Sequence, residues 1–284
     1  MEENKSYLSV SELLSKSFNL FKDNILEILK VIGIFIVPSV LIIGVLIGVI
    51  LVGTIFSSFK SLSYGISSSG SYGSLPFIGF GGVLLLIVLI LLLATISMYA
   101  NAIIVKILDD ANKGNEVSWK TANKYVWERK WSVIGLNILV GLMLMAFIIA
   151  LTSIVLLLAG LAKGFILIIL VPLILAIVFV IAPINMVFNS ELIVRDLSVT
   201  EAIGEGFALF KGGYFWSTVG KLVAITAIII GTAIIFIIFE LIPILGFIVS
   251  LLGQFIIQAY SVSYINVFVH DRSKKTIEFI DPIM

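Results

Sequence analysis

Six stretches of this 284-residue chain run for about 20 residues or more with little besides Ile, Leu, Val, Phe, Ala and Gly. They cover 28–56, 78–106, 132–159, 164–188, 217–239 and 245–268. About 20 apolar residues in a helix suffice to cross the hydrocarbon of a bilayer. The chain is therefore read as an all-α integral membrane protein with six transmembrane helices. Composition agrees, since 60% of residues are hydrophobic and 12% charged, where soluble domains carry about a quarter charged residues. Residues 1–24 are too charged, and turn apolar too late, to be a secretory signal, so the first span is expected to remain in the mature protein.

An even number of spans places both termini on one side. The opposite side then holds three connections, at 57–77, 160–164 and 240–246. Of the 18 Lys and Arg residues, only Lys60 and Lys163 fall there. Cytoplasmic flanks carry the excess of Lys and Arg, so the reading is a multi-pass membrane protein with both termini cytoplasmic. The net charge of +1 suggests no nucleic-acid partner, and the absence of cysteine excludes disulfides and thiol chemistry.

The 57–77 connection, "SSFKSLSYGISSSGSYGSLPF", is rich in Ser and Gly and reads as a flexible outer loop, with a substrate lid as the lesser alternative. Gly44, Gly48 and Gly53 include a GxxxG spacing that permits close helix packing. Pro38, Pro172 and Pro183 interrupt spans and mark kinks.

Charges interrupt this apolar text in a patterned way. "LSVSELLSKSFNLFKDN" at 8–24 returns as "LSVTEAIGEGFALFKGG" at 197–213, and a weaker copy aligns Val117, Ser118, Tyr125, Trp127 and Arg129 with Val10, Ser11, Phe18, Leu20 and Lys22. Two spans follow each copy. The chain thus parses into repeats at 8–108, 117–190 and 197–271, each a short amphipathic helix plus a helical hairpin. Each unit begins and ends on the same side, so the repeats are parallel, and a pseudo-threefold arrangement about the membrane normal is expected.

Ser9 with Glu12, and Ser198 with Glu201, have the spacing of a capping box. Val10, Leu14, Phe18 and Phe21 recur at helical spacing, as do Val199, Ile203, Phe207 and Phe210. Phe18, Phe21, Lys22, Phe207, Phe210 and Lys211 are the candidate interfacial anchors, with aromatics toward acyl chains or bundle and lysines toward headgroups. The three short helices either set the depth of the hairpins or together bind headgroups or gate the cytoplasmic side.

Little in the chain points to catalysis. One histidine, His270, cannot make a paired-histidine metal site; with Asp271 and Arg272 it reads as interfacial. No phosphate-binding loop motif and no acidic pair inside a span is present, so no cofactor, metal or enzymatic activity is expected. Glu240, beside Pro243 and Gly246, is read as a structural residue near the outer turn. A polar band recurs in the even-numbered spans: Tyr99 and Asn101, Asn185 and Asn189, and Gln254, Gln258 and Tyr264. Such residues either bond helices to one another or line a cavity for a lipid or solute.

The segment "APINMVFNSELIVRDLSVTEAIGEGFALFKGGYFWSTVG" (182–220), with "AYSVSYINVFVHDR" (259–272), resembles the six-span family related to the membrane domain of glycerophosphoryl diester phosphodiesterases. The match lies in an Ala-Pro near the end of the fourth span, a charged linker, an E-A-x-x-x-small-aromatic-x-L-x-K-G phrase and an aromatic pair. Where the family has Gly-Asn after the Lys this chain has Gly212 and Gly213, and its often-Ser small position is Gly206. The resemblance implies a protein of the prokaryotic cytoplasmic (plasma) membrane; it does not imply a phosphodiesterase, because that activity belongs to a separate soluble domain whose His and acidic metal ligands are missing here. The expected function is a non-enzymatic protein engaging membrane lipid or an amphipathic small molecule, as carrier, permease or homeostasis factor. The alternative is a structural or partner-binding membrane subunit of a transporter or defence system.

Overall fold

The structure, a computed structural model, describes residues 7–42, 44–46, 48, 52, 75–161, 183–211, 215–239, 242 and 245–278. Its helices are α1 (Val10–Asp23), α2 (Ile25–Val31, continuing through a π turn at Ile32–Ile36), α3 (Leu75–Asn112), α4 (Trp119–Glu128) and α5 (Lys130–Leu161). They are followed by α6 (183–194), α7 (Val199–Ala208), α8 (Phe215–Phe239) and α9 (Leu245–Glu278). No strand occurs among the described residues. Five segments are long and apolar enough to cross a membrane: Ile25–Leu46, Leu91–Asn112, Lys130–Ile154, Phe215–Phe236 and Leu252–Arg272. The expected fourth span, 164–188, lies outside the described residues except for 183–188, as do Gly53, Lys60, Lys163, Pro172, Glu240 and the 57–77 loop up to residue 74.

Local chemistry sets the helix starts. The Ser9 hydroxyl accepts the Glu12 N–H at 3.3 Å while the Glu12 carboxylate accepts the Ser9 N–H at 2.7 Å. Ser198 and Glu201 repeat the exchange at 3.4 and 2.9 Å. Ser118 holds the same cap position before α4 without a side-chain bond; the first N–H of that helix, on Trp119, goes instead to the Glu27 carboxylate of α2 at 2.9 Å. A cap of this kind contributes about 1 kcal/mol. The caps put Ser118 opposite Ser9 and Ser198, two positions from the alignment by Val117. The π turn of α2 ends two residues before Pro38, where the missing N–H and ring crowding disrupt regular α-helical bonding. At Gly44 and Gly48 a Cβ would meet nothing within 4 Å, so among the described residues no helix packs closely against these two glycines.

Each short helix leans on a long one. In α1, Leu13, Ser17 and Phe21 are buried against α9, where Ser263 donates to the Ser17 carbonyl at 2.9 Å and Tyr260 meets the Phe21 ring edge-on. In α4, Ala122 and Val126 are buried, and Asn123 receives the Tyr99 hydroxyl of α3 at 2.7 Å. In α7, Ala202 and Gly206 are buried, with Gly206 against the Phe188 ring of α6. The buried rows are thus rotated one residue from the expected stripes, because small residues such as Ser17 and Gly206 let backbones approach where Phe18 and Phe207 do not fit.

The packed interior gathers at the end of the bundle carrying these short helices. Ile28, Ile104, Leu136, Leu192, Leu222 and Phe268 are all almost fully buried there. Toward the opposite end Leu41, Ile42 and Val45 of the Ile25–Leu46 segment, Met145 and Ile149 of α5, and Ile234 and Ile238 of α8 are exposed. Such an apolar exterior needs an apolar surrounding.

Candidate functional site

The expected polar band is divided among helix contacts. Tyr99 is bonded to Asn123, joining α3 to α4. Gln258 donates to Asn101 at 3.3 Å, joining α9 to α3. Asn189 exchanges 3.4 Å amide bonds with Asn137 of α5 and also bonds the Asn185 carbonyl at 3.0 Å. The buried Tyr264 hydroxyl donates to the Lys221 carbonyl at 3.0 Å, joining α9 to α8, while Gln254 is exposed. Asn123 and Asn137 were not anticipated as partners; a lone amide inside "GLNILVG" was the available signal for Asn137. Direct bonds of this sort hold helices together where no water competes.

The anchors also separate. Phe21 is buried, Phe210 is half-buried with its ring edge toward Phe215, and Lys22 and Lys211 are exposed. Phe18 and Phe207 are 55% and 43% exposed. Counted from the caps, Trp127 occupies the equivalent place in α4 and is 59% exposed, with the Lys130 ammonium 3.9 Å from its ring centre. Exposed aromatics at the same place in three short helices suit the interfacial zone of a bilayer.

Between α3 and α5 lies a cavity of about 280 Å³ whose walls include Leu91, Met98, Val133, Ile138, Leu142 and Met145. Its polar groups are engaged: Thr95 donates to the Leu91 carbonyl at 2.8 Å and Asn137 to the Val133 carbonyl at 2.8 Å. The lining is therefore hydrocarbon in character, and Leu91, Ile138, Leu142 and Met145 remain more than half exposed at its rim. Gly141 forms part of the wall, and a Cβ there would meet nothing within 4 Å. Uniformly apolar runs carry no periodicity from which such a groove could be read.

A charged hub sits at the short-helix end. The Asp109 carboxylate, with 1% of its side chain exposed, receives Lys113 at 2.8 Å, His270 Nε2 at 3.0 Å and Lys106 at 3.3 Å. Lys106 also pairs with Asp110 at 2.8 Å and lies 4.8 Å from the Tyr125 ring of α4. Tyr125 donates to Asp196 at 2.6 Å, and Asp196, in the left-handed region at φ 58°, pairs with Arg129. His270 is thus packed into the bundle rather than set on its surface; Asp271 accepts the Leu8 N–H at 3.1 Å and Arg272 is 4% exposed.

Glu191 of α6 is fully buried, with one carboxylate oxygen unpartnered and the other 3.3 Å from Arg195, which holds Glu205 at 2.8 Å. Burial outweighs the attraction of Arg195 and pushes the Glu191 carboxyl from its ordinary 4.5 up to about 7. Its contribution to stability is therefore fully present below pH 4.5 and is lost as pH rises through about 7. Thermal unfolding should show the wild type losing on the order of 2–3 kcal/mol between about pH 5 and pH 8. Glu191→Gln should flatten that dependence; equal slopes for the two proteins would rule Glu191 out as its source.

Among the described residues no group of three His, Asp or Glu side chains could hold a metal. Compared with known proteins, the chain matches no family model, no curated protein and no solved structure.

Proposed function

We propose that this chain is a non-enzymatic, multi-pass membrane protein that engages a lipid or similar amphipathic molecule by taking an acyl chain into the groove between α3 and α5. The observation that carries the reading is the cavity of about 280 Å³, walled by Leu91, Met98, Ile138, Leu142 and Met145 on two helices apolar enough to span a bilayer. In such surroundings the groove offers a polar solute no free hydrogen-bonding group, whereas an acyl chain needs none. The exposed Phe18, Trp127 and Phe207 supply an interfacial belt at the headgroup level.

The six-span, three-unit architecture remains part of the proposal. In its support, α4 packs on α3, the second long helix of the first unit, and α7 on α6, the end of the second. The α1–α9 contact closes the series from the third unit to the first. Cytoplasmic termini rest on the Lys and Arg distribution, whereas the prokaryotic plasma membrane and membership of the six-span family both rest on the resemblance carried by the 182–220 phrase. The second reading, a structural or partner-binding subunit, is favoured by the pairing of Asn101 with Gln258 and of Asn137 with Asn189, which uses these amides as joints between helices.

The test is photocrosslinking in nanodiscs with a phospholipid carrying a diazirine midway along its acyl chain. Adducts should concentrate on peptides containing Met98 and Leu142, and Gly141→Leu, which adds a side chain to the groove wall at a position where a Cβ meets nothing within 4 Å, should reduce them sharply. Adducts spread evenly over all exposed faces and unchanged by Gly141→Leu would count against the lipid reading.

A further inference from the structure

Two cations lie side by side near the start of α8, and their setting differs from that of the other buried charges. Lys221 is 4% exposed, and its ammonium has no hydrogen-bond partner. Arg272 of α9 is also 4% exposed and donates to the Ser217 hydroxyl at 3.2 Å and toward that of Thr218 at 3.5 Å. Both flank the same rings: the guanidinium carbon is 3.8 Å from the Tyr7 ring centre and 5.6 Å from that of Phe268, while the ammonium is 5.6 and 5.9 Å from them. Among the described residues, the nearby carboxylates hydrogen-bond backbone rather than Lys221, Asp271 accepting the Leu8 N–H and Glu12 the Ser9 N–H. Aromatic faces offset part of the cost of burying a cation. They do not replace the hydrogen bonds an ammonium loses on leaving water, and a second positive charge beside it raises the cost. Compare Asp109, whose buried carboxylate gathers the ammonium groups of Lys106 and Lys113 and the His270 ring.

The helix geometry points the same way. Ser217, Thr218 and Lys221 belong to the first two turns of the 25-residue α8, where unpaired backbone N–H groups and the helix dipole favour an anion. Thr218 is turned away, donating to the Leu209 carbonyl at 2.8 Å, whereas Ser217 is exposed. An oxyanion at this spot would meet an unpartnered ammonium, a guanidinium and a hydroxyl. These groups suit a tetrahedral phosphoryl group, which has acceptors on several sides and no donors to satisfy.

We propose that Lys221, Arg272 and Ser217 form a binding site for a phosphoryl group at the start of α8, supplied by a phospholipid headgroup or by a soluble phosphate. For the lipid source this rests on the reading above and adds to it where the headgroup is held; for the soluble source it stands alone. The site also accounts for a buried ammonium that has no hydrogen-bond partner among the described residues.

The experiment follows the melting temperature of the full-length, delipidated protein in detergent, titrated separately with inorganic phosphate and with phosphatidylglycerol, against sodium chloride at matched ionic strength. A ligand that binds only the folded state raises the melting temperature in proportion to its occupancy. For the wild type at least one of the two should do so. Lys221→Met keeps the apolar stem and removes the charge. It should need about tenfold more ligand for the same rise, while remaining at least as stable as the wild type without ligand, because the unpartnered charge is gone. Lys221→Arg should retain the response. A rise with phosphatidylglycerol alone assigns the site to a lipid headgroup, and a rise with both assigns it to the phosphoryl group itself. No rise with either, or the same midpoint in Lys221→Met, overturns the proposal. If groove adducts form while Lys221→Met titrates like the wild type, this site fails and the lipid reading stands. If inorganic phosphate stabilises only the wild type and no adducts form, the reverse holds.

Discussion

Asp109→Ala is expected to cost the protein about 3 kcal/mol of stability, the scale seen when one partner of a buried ion pair is removed. The carboxylate is the only group in its cluster that meets Lys106, Lys113 and His270 together, and it is almost completely buried. Its loss leaves the mostly buried His270 without its carboxylate partner and cuts one of the bonds between α3 and α9, a contact between residues 161 positions apart. Lys106 keeps Asp110, and Lys113, with 43% of its side chain exposed, can turn to water. Lys113→Ala should therefore cost under about 1 kcal/mol. Asp109→Asn keeps an acceptor for His270 without the charge and should fall between the two. Thermal unfolding in one detergent, scanned for all three variants, checks the order. Similar losses for Asp109→Ala and Lys113→Ala would mean that the hub does not hold α3 to α9.

Gly206→Ala is the second large effect, and its sign distinguishes it from an ordinary glycine replacement. Alanine inside a helix is normally better than glycine by about 1 kcal/mol. A Cβ at 206, however, would overlap the Phe188 ring, which is 2% exposed and fixed edge-on to Phe207 with ring centres 5.1 Å apart. Overpacking of this kind costs about 1–3 kcal/mol. Two residues earlier in the same helix, a Cβ at Gly204 meets nothing within 4 Å. Gly204→Ala should therefore stabilise, and Gly206→Ala destabilise. Phe188→Leu should recover part of the loss when combined with Gly206→Ala, a coupling that a double-mutant cycle in thermal unfolding would read. Equal and favourable shifts at 204 and 206 would show that α7 does not rest on α6 as described.

Long apolar runs and caps were legible because each is a local property of the chain. The spans around 28, 106, 132, 217 and 268 announce themselves by length, and the Ser9/Glu12 and Ser198/Glu201 boxes by a three-residue spacing. The cap of α4 was not, since Ser118 leaves the N–H to Glu27, 92 positions away from the Trp119 that it serves. That is also why a copy aligned on Val117 slipped by two. In the spans nearly every face is apolar, so nothing in "GLMLMAFII" marks Gly141 and Leu142 as walls of a groove rather than as a packed interface. Polar residues were visible as a band, but their pairing was not, because Asn101 and Gln258 meet only when α9 folds back beside α3. Lys221 reads in sequence as one more basic residue at the end of a span. Its missing partner is a fact of the fold alone.

Native mass spectrometry of the wild-type protein released from nanodiscs bears most directly on the claim that this is a lipid-engaging membrane protein. The account predicts a phospholipid retained at fixed stoichiometry at collision energies that strip the surrounding lipid, with retention reduced in Gly141→Leu. A wild-type protein that emerges free of lipid under the same conditions, or adducts in a broad distribution identical in both proteins, would contradict it.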